Sequence, residues 1–597
     1  MPAFKVPLRD MRFLLQDVFA ANELFASMSA TQEMTADLMD AILEEAAKIT
    51  ETLLAPLNQS GDESGCRLVN GKVSTPKGFA DAYRAFADAG WVGLIGEPAY
   101  GGQGMPKMLS VLFEEMLMGS NPAFGLYPIL TSGASLALSL HGTEHLKSTY
   151  LPRLYSGQWC ATMCLTEPHA GSDLGIIRTR AMPESDGSFR LTGTKMFITA
   201  GDHDLSDNII HFVLAKLPDA PDGSHGISLF LVPKLQATAD GILGESNGVT
   251  CASLEHKMGL KASATCVLNF DNARGYLVGE INMGLTCMFT MMNYERLTMG
   301  LQGIGLAQNS YDLAVAYARE RLQGRSADGA AAPEKPADPI IVHPDVRRML
   351  LTMRANILAG RALCLYVASK LDIAKFHQSE TEQQRALQLV DLLTPIAKAY
   401  CTDRGFEACV LGQQIFGGHG YIREWGVEQN VRDARIAQIY EGTNGIQALD
   451  LAGRKTVRCR GALLKVFLDE IRDFISKTEQ ANSQHEFTLQ LKNCLHTLQE
   501  CTEALIDAAA NDKREIGAAA YSYMELVGLV AYGYMWLRIL VAAGDKNVRT
   551  RHAADYLDSL EITADFFRLR LMPRGNSLAA EIKAGAASLM ALKAEQF

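Results

Sequence analysis

The chain has 597 residues and a mass of 65.0 kDa, which is too long for one hydrophobic core, so we expect about three or four domains. Its net charge of −11 disfavours nucleic acid as a partner, and 48% hydrophobic with 21% charged residues is typical of a soluble globular protein. Lys5, Arg9 and Arg12 interrupt the region where an export signal needs an apolar stretch, so we expect no such signal.

The cysteines and apolar runs narrow the class of protein further. The 12 cysteines form no CxxC pair, and Cys160 and Cys164 have no histidine at metal-site spacing, so we expect free thiols in a reducing cytoplasm and no metal site. The longest apolar run, 526–537, is too short to span a bilayer, and we therefore expect no transmembrane segment.

In chain order, the pattern predicts a helical domain over 1–158 and a β domain over 159–280. Helical periodicity in the first part is broken by the polar stretch 58–78 and by PAYGGQG at 98–104. The period then changes, because FRLTGTKMFITA, IIHFVLAKL, GISLFLVPK and CVLNF are short β-type runs separated by Asp, Gly, Pro and Asn.

The second half of the chain is predicted to be helical again. Residues 285–321 contain no proline and would form a helix of roughly 55 Å, and we assign 281–460 to a helical bundle interrupted by an Ala/Pro/Gly loop at 325–339. Residues 461–597 are predicted to be a separate helical extension, with 15 Lys and Arg against 18 Asp and Glu. That balance offers no cationic surface for DNA.

One segment suggests catalysis. Glu441 lies in the run IYEGTNG, between Tyr440 and Gly442 at the end of an apolar stretch, where a dry pocket would raise its pKa and make it a base for a carbon acid. An ordinary carboxylate at a helix end would have the same local sequence, and this motif by itself leaves both interpretations open.

Two other segments favour a flavin. MCLTEPHAGSDLG at 163–175 and GTKMFITAG at 193–201 each place a threonine hydroxyl beside apolar side chains, which suits a ring that needs hydrogen bonds at its edge and packing on its face. A turn followed by a strand would look the same. Neither GxGxxG nor GxxxxGK[ST] occurs in the chain.

Together these segments resemble the acyl-CoA dehydrogenase family over about residues 40–455. The resemblance extends to PAYGGQG, HGTEHLKSTYLPRL, EHKMGLKAS and YARERLQGR. The N-terminal VPLRDMRFLLQDVF, the proline-bearing loop and the long C-terminal extension look like a larger-subunit branch. That branch includes 3-methylmercaptopropionyl-CoA dehydrogenases and bacterial medium- to long-chain acyl-CoA dehydrogenases.

The resemblance implies a fold of a helical domain, a β-barrel and a four-helix bundle, and FAD-dependent conversion of an acyl-CoA to trans-2-enoyl-CoA. It implies Glu441 as the base that takes the α-proton. Glu295 is the alternative base, because another branch of the family places its base on that helix; an ion pair with a neighbouring arginine would also explain Glu295. The implied FAD contacts are Met163, Leu165, Thr166, Gly171, Ser172, Phe197, Thr199, Arg321, Gln414, Gly418 and Thr443. The implied substrate contacts are Ser172, Asn293, Arg296, Gly442 and Gly133.

Among the cofactor contacts, those of Arg321, Gln414 and Gly418 would reach the FAD of a neighbouring subunit. We expect a homodimer, because the C-terminal extension should cover a bundle surface that smaller members of the family use to form tetramers. Two positions depart from the family: Phe197 stands where many members have tryptophan, and Gly445 replaces a glutamine that touches FAD in some members. The small residues at 132–135 lie at the floor of the acyl pocket in the family, which favours medium- to long-chain substrates of β-oxidation.

Several alternatives remain at this stage. A 3-methylmercaptopropionyl-CoA dehydrogenase and an acyl-CoA oxidase would use the same residues, while electron-transfer flavoprotein is the acceptor implied for a dehydrogenase. A DNA-associated adaptive-response member of the fold would need a basic C-terminal face, which the extension lacks. A scaffold protein with this fold would tolerate loss of Glu441, Thr166 and Arg321, yet all three are present.

Overall fold

The structure is a computed structural model that describes residues 3–238, 241–480 and 485–597. The chain divides into two compact units. We call them the bundle unit (Met1–Glu45, Lys107–Glu115 and Arg296–Phe597) and the barrel unit (Ala46–Pro106 and Met116–Glu295).

Helices make up most of the chain, as the sequence predicted. The α-helices are α1 (Leu8–Arg12), α2 (Ala21–Ala26), α3 (Ala36–Ile49), α4 (Asn58–Ser64), α5 (Phe79–Asp88), α6 (Lys107–Ser120), α7 (Pro122–His141), α8 (Glu144–Tyr155), α9 (Gly284–Glu320), α10 (Pro344–Phe376), α11 (Glu380–Ile415), α12 (Val427–Arg435), α13 (Asn444–Leu449), α14 (Ala462–Gln480), α15 (His485–Asn511), α16 (Arg514–Gly544), α17 (Lys546–Arg551), α18 (Ala554–Phe566) and α19 (Arg574–Lys583). The uninterrupted helix predicted over 285–321 is confirmed as α9, which has 37 residues.

The strands are β1 (Arg67–Val69), β2 (Lys72–Ser74), β3 (Trp159–Cys164), β4 (Arg180–Pro183), β5 (Phe189–Thr199), β6 (Asn208–Lys216), β7 (Ile227–Pro233), β8 (Leu235–Ala237), β9 (Leu243–Ser246), β10 (Val249–Leu254) and β11 (Thr265–Val278). The runs predicted from FRLTGTKMFITA, IIHFVLAKL, GISLFLVPK and CVLNF lie in β5, β6, β7 and β11.

The main sheet of the barrel unit closes into a ring. Its order is β10-β11-β5-β4-β6-β3, and β7 pairs with both β11 and β6, so that β11, β5, β4, β6 and β7 form a closed circuit. The pairing between β6 and β7 is antiparallel, with Phe212 opposite Leu231, whereas β3 joins β6 in parallel. The interior is apolar and includes Leu191, Val213 and Phe230. Closure leaves few unpaired strand edges, which explains how short strands form a stable domain.

The long helices of the bundle unit approach each other closely at glycines. A Cβ atom on Gly300 of α9 would lie 2.1 Å from the carbonyl oxygen of Ala397 in α11, and one on Gly405 of α11 would lie 2.5 Å from the Gly303 oxygen. Only glycine fits at such crossings, since any side chain would push the two backbones apart. These contacts fix the register between α9 and α11.

The C-terminal extension packs on the bundle through α16. A Cβ atom on Gly528 would meet the Tyr400 ring of α11 at 2.4 Å, and the Trp536 indole donates to the Ala355 oxygen of α10 at 3.1 Å. The apolar run 526–537 is buried. The extension thus covers one surface of the α10–α11 pair.

Two helices, α7 and α16, are long and apolar enough to cross a membrane by length and composition. The 12-residue apolar run had suggested that α16 was too short, but glycines, alanines and serines extend the apolar part of the helix. In the structure, 83% of the most apolar 18-residue stretch of α7 and 89% of that of α16 are buried. Core helices of globular proteins have this same composition, because all sides of the helix contact protein.

Candidate active site

Glu441 lies in a tight loop between α12 and α13, and its backbone is strained. Its φ is +57°, followed by +82° at Gly442. A non-glycine residue in the left-handed region costs about 1–2 kcal/mol. The loop ends where the Thr443 hydroxyl accepts a hydrogen bond from the Ile446 N–H at 3.3 Å and so caps α13. Strain at a single carboxylate is typical of functional sites.

One oxygen of the Glu441 carboxylate is buried, in line with the dry pocket that the sequence predicted. The residue as a whole is half-buried, but its Oε2 atom is buried and has no hydrogen-bond partner among the described residues. Burial raises the pKa of Glu441 to about 7, and the positive charges of Arg296 and Lys398 oppose this rise. A carboxylate with a pKa near neutrality is an effective base at physiological pH.

The backbone of the loop is held by donors from three directions. Arg296 Nε and Gln447 Nε2 donate to the carbonyl oxygen of Glu441 at 3.4 and 3.1 Å. Lys398 Nζ donates to the next carbonyl, that of Gly442, at 2.8 Å. Arg296, which the sequence assigned to the substrate, therefore contacts the loop itself.

Lys398 and its partner Asn444 are site residues that the sequence analysis missed. Lys398 is completely buried in α11, and its ammonium also donates to Asn444 Oδ1 at 2.8 Å. A signal was present, because a lysine inside the apolar run TPIAKAY must find acceptors when it is buried. The sequence could not show which acceptors it finds.

Glu295, the alternative base, lies in the barrel unit and is completely buried. A Cβ atom added to Gly133 would lie 2.4 Å from Glu295 Oε1 and 3.1 Å from Met291 Cγ. The small residue at position 133 predicted open space for an acyl chain. Instead, the Glu295 carboxylate and the Met291 side chain fill the volume beside it.

The flavin segments of the barrel unit lie next to each other. Thr166 is the second residue after β3, and its carbonyl oxygen accepts from the Met196 N–H of β5 at 3.0 Å, which brings Thr166 close to the backbone beside Phe197. Thr199 ends β5, while Met163 and Leu165 are half-buried and Gly171 and Ser172 are exposed. The predicted hydroxyls and apolar side chains therefore share one region of the barrel unit.

Phe197 provides a test of whether this region fits a flavin. Its side chain is 55% exposed, and its φ is +58° near the end of β5, where the pairing with β11 shifts in register. An exposed aromatic ring in a strained conformation gains nothing for folding. An exposed ring on the strand whose backbone bonds that of Thr166 suits the face of a flavin, so the residues present fit FAD.

Hydrogen bonds of Glu167 and Lys195 stabilise the backbone next to these flavin segments. Lys195 Nζ donates to Glu167 Oε1 at 2.9 Å and to the Leu165 oxygen at 3.0 Å. Glu167 also accepts from the Thr179 hydroxyl at 2.6 Å and from the Arg178 N–H at 2.7 Å. Both charged side chains are buried and take part in structural hydrogen bonds.

The residues expected to reach a neighbouring FAD are exposed in the bundle unit. Arg321 follows the end of α9, Gln414 lies in the last turn of α11, and Gly418 in the turn after it. Tyr317 joins these helix ends by stacking on Phe416, with ring centroids 4.2 Å apart. The three residues are thus accessible from outside the chain.

The remaining predicted residues are distributed between the two units. Asn293 is exposed on the part of α9 that belongs to the barrel unit, and Gly445 is exposed after the Glu441 loop.

All twelve cysteines are free thiols. Within residues 3–238, 241–480 and 485–597, no three His, Cys, Asp or Glu side chains are grouped to hold a metal ion.

Comparison with known proteins gives matches along most of the chain. Sequence models of the N-terminal, middle and C-terminal domains of acyl-CoA dehydrogenases match residues 37–158, 162–273 and 282–455. A further model, described as acetyl-CoA dehydrogenase C-terminal like, matches residues 467–593.

Individual relatives and solved structures agree with these matches. A 3-methylmercaptopropionyl-CoA dehydrogenase of Ruegeria pomeroyi is 46% identical over 468 residues, which cover 78% of this chain and 79% of the relative. A broad-specificity linear acyl-CoA dehydrogenase of Mycobacterium tuberculosis is 35% identical and covers 81% of each chain. The acyl-CoA dehydrogenase of Bacillus anthracis complexed with FAD superposes with a TM-score of 0.74 at 21% identity, over 92% of this chain and 88% of that one. The last comparison shows a shared fold.

Proposed function

The chain belongs to the acyl-CoA dehydrogenase family of FAD-dependent oxidoreductases, and from this premise we propose that it oxidises an acyl-CoA thioester to the trans-2-enoyl-CoA with Glu441 as the base. The observation that carries the proposal is the buried Glu441 carboxylate, whose pKa is raised to about 7 in a strained loop. A carboxylate with this pKa is a stronger base than an exposed one and is still substantially ionised near neutral pH, which suits proton removal from carbon.

In the proposed reaction, FAD supplies the acceptor for the β-hydrogen and its electron pair. The Glu441 carboxylate removes the α-proton and keeps it as a neutral carboxylic acid, while the electron pair of the broken α-C–H bond forms the new C=C bond. Burial excludes water from the base, and Arg296 and Gln447 hold its backbone in place. Thr166, Thr199 and Phe197 would hold the flavin ring, with Ser172 and Thr443 as further contacts by family resemblance.

The decisive experiment compares Glu441→Gln with Glu295→Gln in the FAD-loaded enzyme. Glu441→Gln should retain FAD and lose about 10²- to 10⁴-fold in the rate at which an acyl-CoA bleaches the flavin absorbance without oxygen. Glu295→Gln should keep most of that rate. An active Glu441→Gln variant together with an inactive Glu295→Gln variant would transfer the role of the base to Glu295, and protein that cannot be loaded with FAD would end the proposal.

For the substrate, we propose medium- to long-chain straight acyl-CoA, as used in β-oxidation. The resemblance to a broad-specificity linear acyl-CoA dehydrogenase supports this proposal. The 46% identity to a 3-methylmercaptopropionyl-CoA dehydrogenase favours a second candidate, a short thioether substrate.

A panel of butanoyl-, octanoyl-, palmitoyl- and 3-methylmercaptopropionyl-CoA with an artificial electron acceptor separates the two candidates. The proposal predicts higher kcat/KM for octanoyl- or palmitoyl-CoA, and a preference for the thioether would replace it with the second candidate. Gly133→Leu cannot serve as a clean test of pocket depth, because the new side chain would first displace Glu295.

We also propose a cytoplasmic homodimer that passes electrons to electron-transfer flavoprotein. The covering of the α10–α11 surface by α16 and the exposure of Arg321, Gln414 and Gly418 support this assembly. FAD retention should then depend on the dimer, and a stable monomer that keeps full FAD would contradict it. Rapid production of H₂O₂ without electron-transfer flavoprotein would identify an acyl-CoA oxidase instead.

A further inference from the structure

We propose that the C-terminal extension positions the catalytic loop through a chain of hydrogen bonds that runs from Tyr521 through Asp403 and Asn444 to Lys398, which holds the loop of Glu441. The inference rests on the proposed role of Glu441 as the base. It assigns Tyr521, Asp403, Asn444 and Lys398 as positioning residues, none of which is required to touch the substrate.

The first link joins Lys398 to the loop. Its ammonium donates to the Gly442 carbonyl oxygen at 2.8 Å, and this carbonyl belongs to the residue immediately after Glu441. The two residues have φ values of +57° and +82°, so the loop needs external contacts to keep this conformation. A completely buried ammonium that donates to the loop carbonyl provides such a contact.

The second link fixes the direction of the Asn444 side chain. Its Oδ1 accepts from Lys398 at 2.8 Å, while its Nδ2 donates to Asp403 Oδ1 at 2.7 Å and to Thr402 Oγ1 at 3.0 Å. Lysine can only donate and an aspartate can only accept, so the amide of Asn444 fits in one orientation. Asn444 therefore couples the position of Lys398 to that of Asp403.

The third link crosses into the extension. Asp403 is buried, and its Oδ2 accepts from the Tyr521 hydroxyl of α16 at 2.8 Å, while its Oδ1 also accepts from Gln438 Nε2 at 2.6 Å. Burial and the Asp403 charge raise the pKa of Tyr521, which keeps its hydroxyl protonated as a donor. Tyr521 is thus a group of the extension that orients the Asp403 carboxylate.

A neighbouring ion pair keeps Tyr521 in register with Asp403. Arg404, the residue after Asp403 in α11, forms an ion pair with Glu525 of α16 at 3.3 Å. Glu525 lies one helical turn after Tyr521. A Cβ atom on Gly453, in the segment after α13, would lie 3.4 Å from the Ile516 side chain of α16. The extension therefore contacts a segment that precedes the Glu441 loop in the sequence and a segment that follows it.

The chain of hydrogen bonds also has an electrostatic consequence. The charged groups that face Lys398 are Glu441, Asp403 and Arg296. Burial lowers the pKa of Lys398 to about 7, and the negative charges of Glu441 and Asp403 oppose this. The Lys398 charge in turn lowers the pKa of Glu441. Displacement of Asp403 should therefore favour the neutral amine and raise the pKa of the base.

The test is Tyr521→Phe in the full-length, FAD-loaded enzyme, which removes one hydroxyl from the chain of hydrogen bonds. We expect kcat to fall about three- to tenfold, the magnitude typical of coupling through such networks. KM and FAD content should change little, and the acidic limb of the pH profile should move to higher pH. The matched control is Tyr523→Phe, on the same helix, whose hydroxyl is 2.9 Å from Thr502 Oγ1 within the extension. It should leave kcat and the pH profile unchanged.

A double-mutant cycle separates coupling from general damage. In a Lys398→Met background, Tyr521→Phe should have little further effect on kcat, because the chain of hydrogen bonds is already broken. Asp403→Asn replaces Lys398→Met in the cycle if the latter does not fold. Wild-type kcat in Tyr521→Phe, or fully additive effects in the cycle, would overturn the inference while leaving the proposed function intact. A wild type that oxidises no acyl-CoA would overturn the proposed function, and the inference with it.

Discussion

Acidification from pH 8 to pH 6 should lower kcat/KM for acyl-CoA oxidation about tenfold. Burial raises the pKa of Glu441 to about 7, so the carboxylate form makes up about 91% of the enzyme at pH 8 and about 9% at pH 6. A solvent-exposed glutamate with a pKa of about 4.3 would still be about 98% ionised at pH 6 and would give a flat profile over this range.

The assay measures initial rates at subsaturating acyl-CoA with an artificial electron acceptor between about pH 5.5 and pH 9, because kcat/KM reports groups of the free enzyme. Flavin absorbance at each pH checks that FAD remains bound. Lys398 faces Glu441 and has a pKa of about 7 itself, so the midpoint belongs to the pair and the limb should be broader than a single titration.

An acidic limb with its midpoint below about pH 5.5 would refute this reasoning, because it would mean that the base is as well solvated as a surface carboxylate. Lys398→Met offers a second check with a defined sign. Loss of a positive charge beside Glu441 raises the pKa of the carboxylate, so the limb should move to higher pH, and a shift to lower pH would contradict the assigned charges.

Three further predictions concern stability and cofactor binding. The folded-state pKa of Glu441 lies above its ordinary value of 4.5, so the wild type loses stability as pH rises from about 4.5 to 7. Glu441→Gln does not titrate, so its free energy of unfolding should rise by up to about 3 kcal/mol relative to the wild type between pH 5 and pH 8 in thermal unfolding. A difference that does not depend on pH would contradict the burial of Glu441. Phe197→Gly should relieve about 1 kcal/mol of left-handed strain in the apoprotein and weaken FAD binding, and unchanged FAD affinity by fluorescence titration would remove Phe197 from the flavin site. Gly528→Ala should cost about 1–3 kcal/mol, because its Cβ would meet the Tyr400 ring. Gly517→Ala, on the same helix with nothing within 4 Å, should instead stabilise by up to about 1 kcal/mol, and equal effects on the melting temperature would refute the packing of α16.

The sequence by itself determined the elements whose signal is local. An uninterrupted run without proline predicted α9 to within one residue at each end, and the β-type runs predicted β5, β6, β7 and β11. The family motifs identified the chemistry, and the apolar residues before Glu441 predicted its raised pKa correctly. The helix, the strands and the apolar surroundings of Glu441 depend on residues that are close together in the chain, so periodicity and local composition predict them, whereas the chemistry was implied by the family resemblance.

Only the tertiary structure decided which groups face each other. It placed Glu295 in the space beside Gly133, and Lys398 against the loop of Glu441. It also joined Tyr521 to Asp403, which are 118 residues apart in the chain. Sequence patterns report that a lysine or an aspartate is buried, but its partner is chosen by helix register, and here glycines fix the register between α9 and α11 through close backbone contact. A buried charge must be paired, and the fold determines the residue that pairs with it.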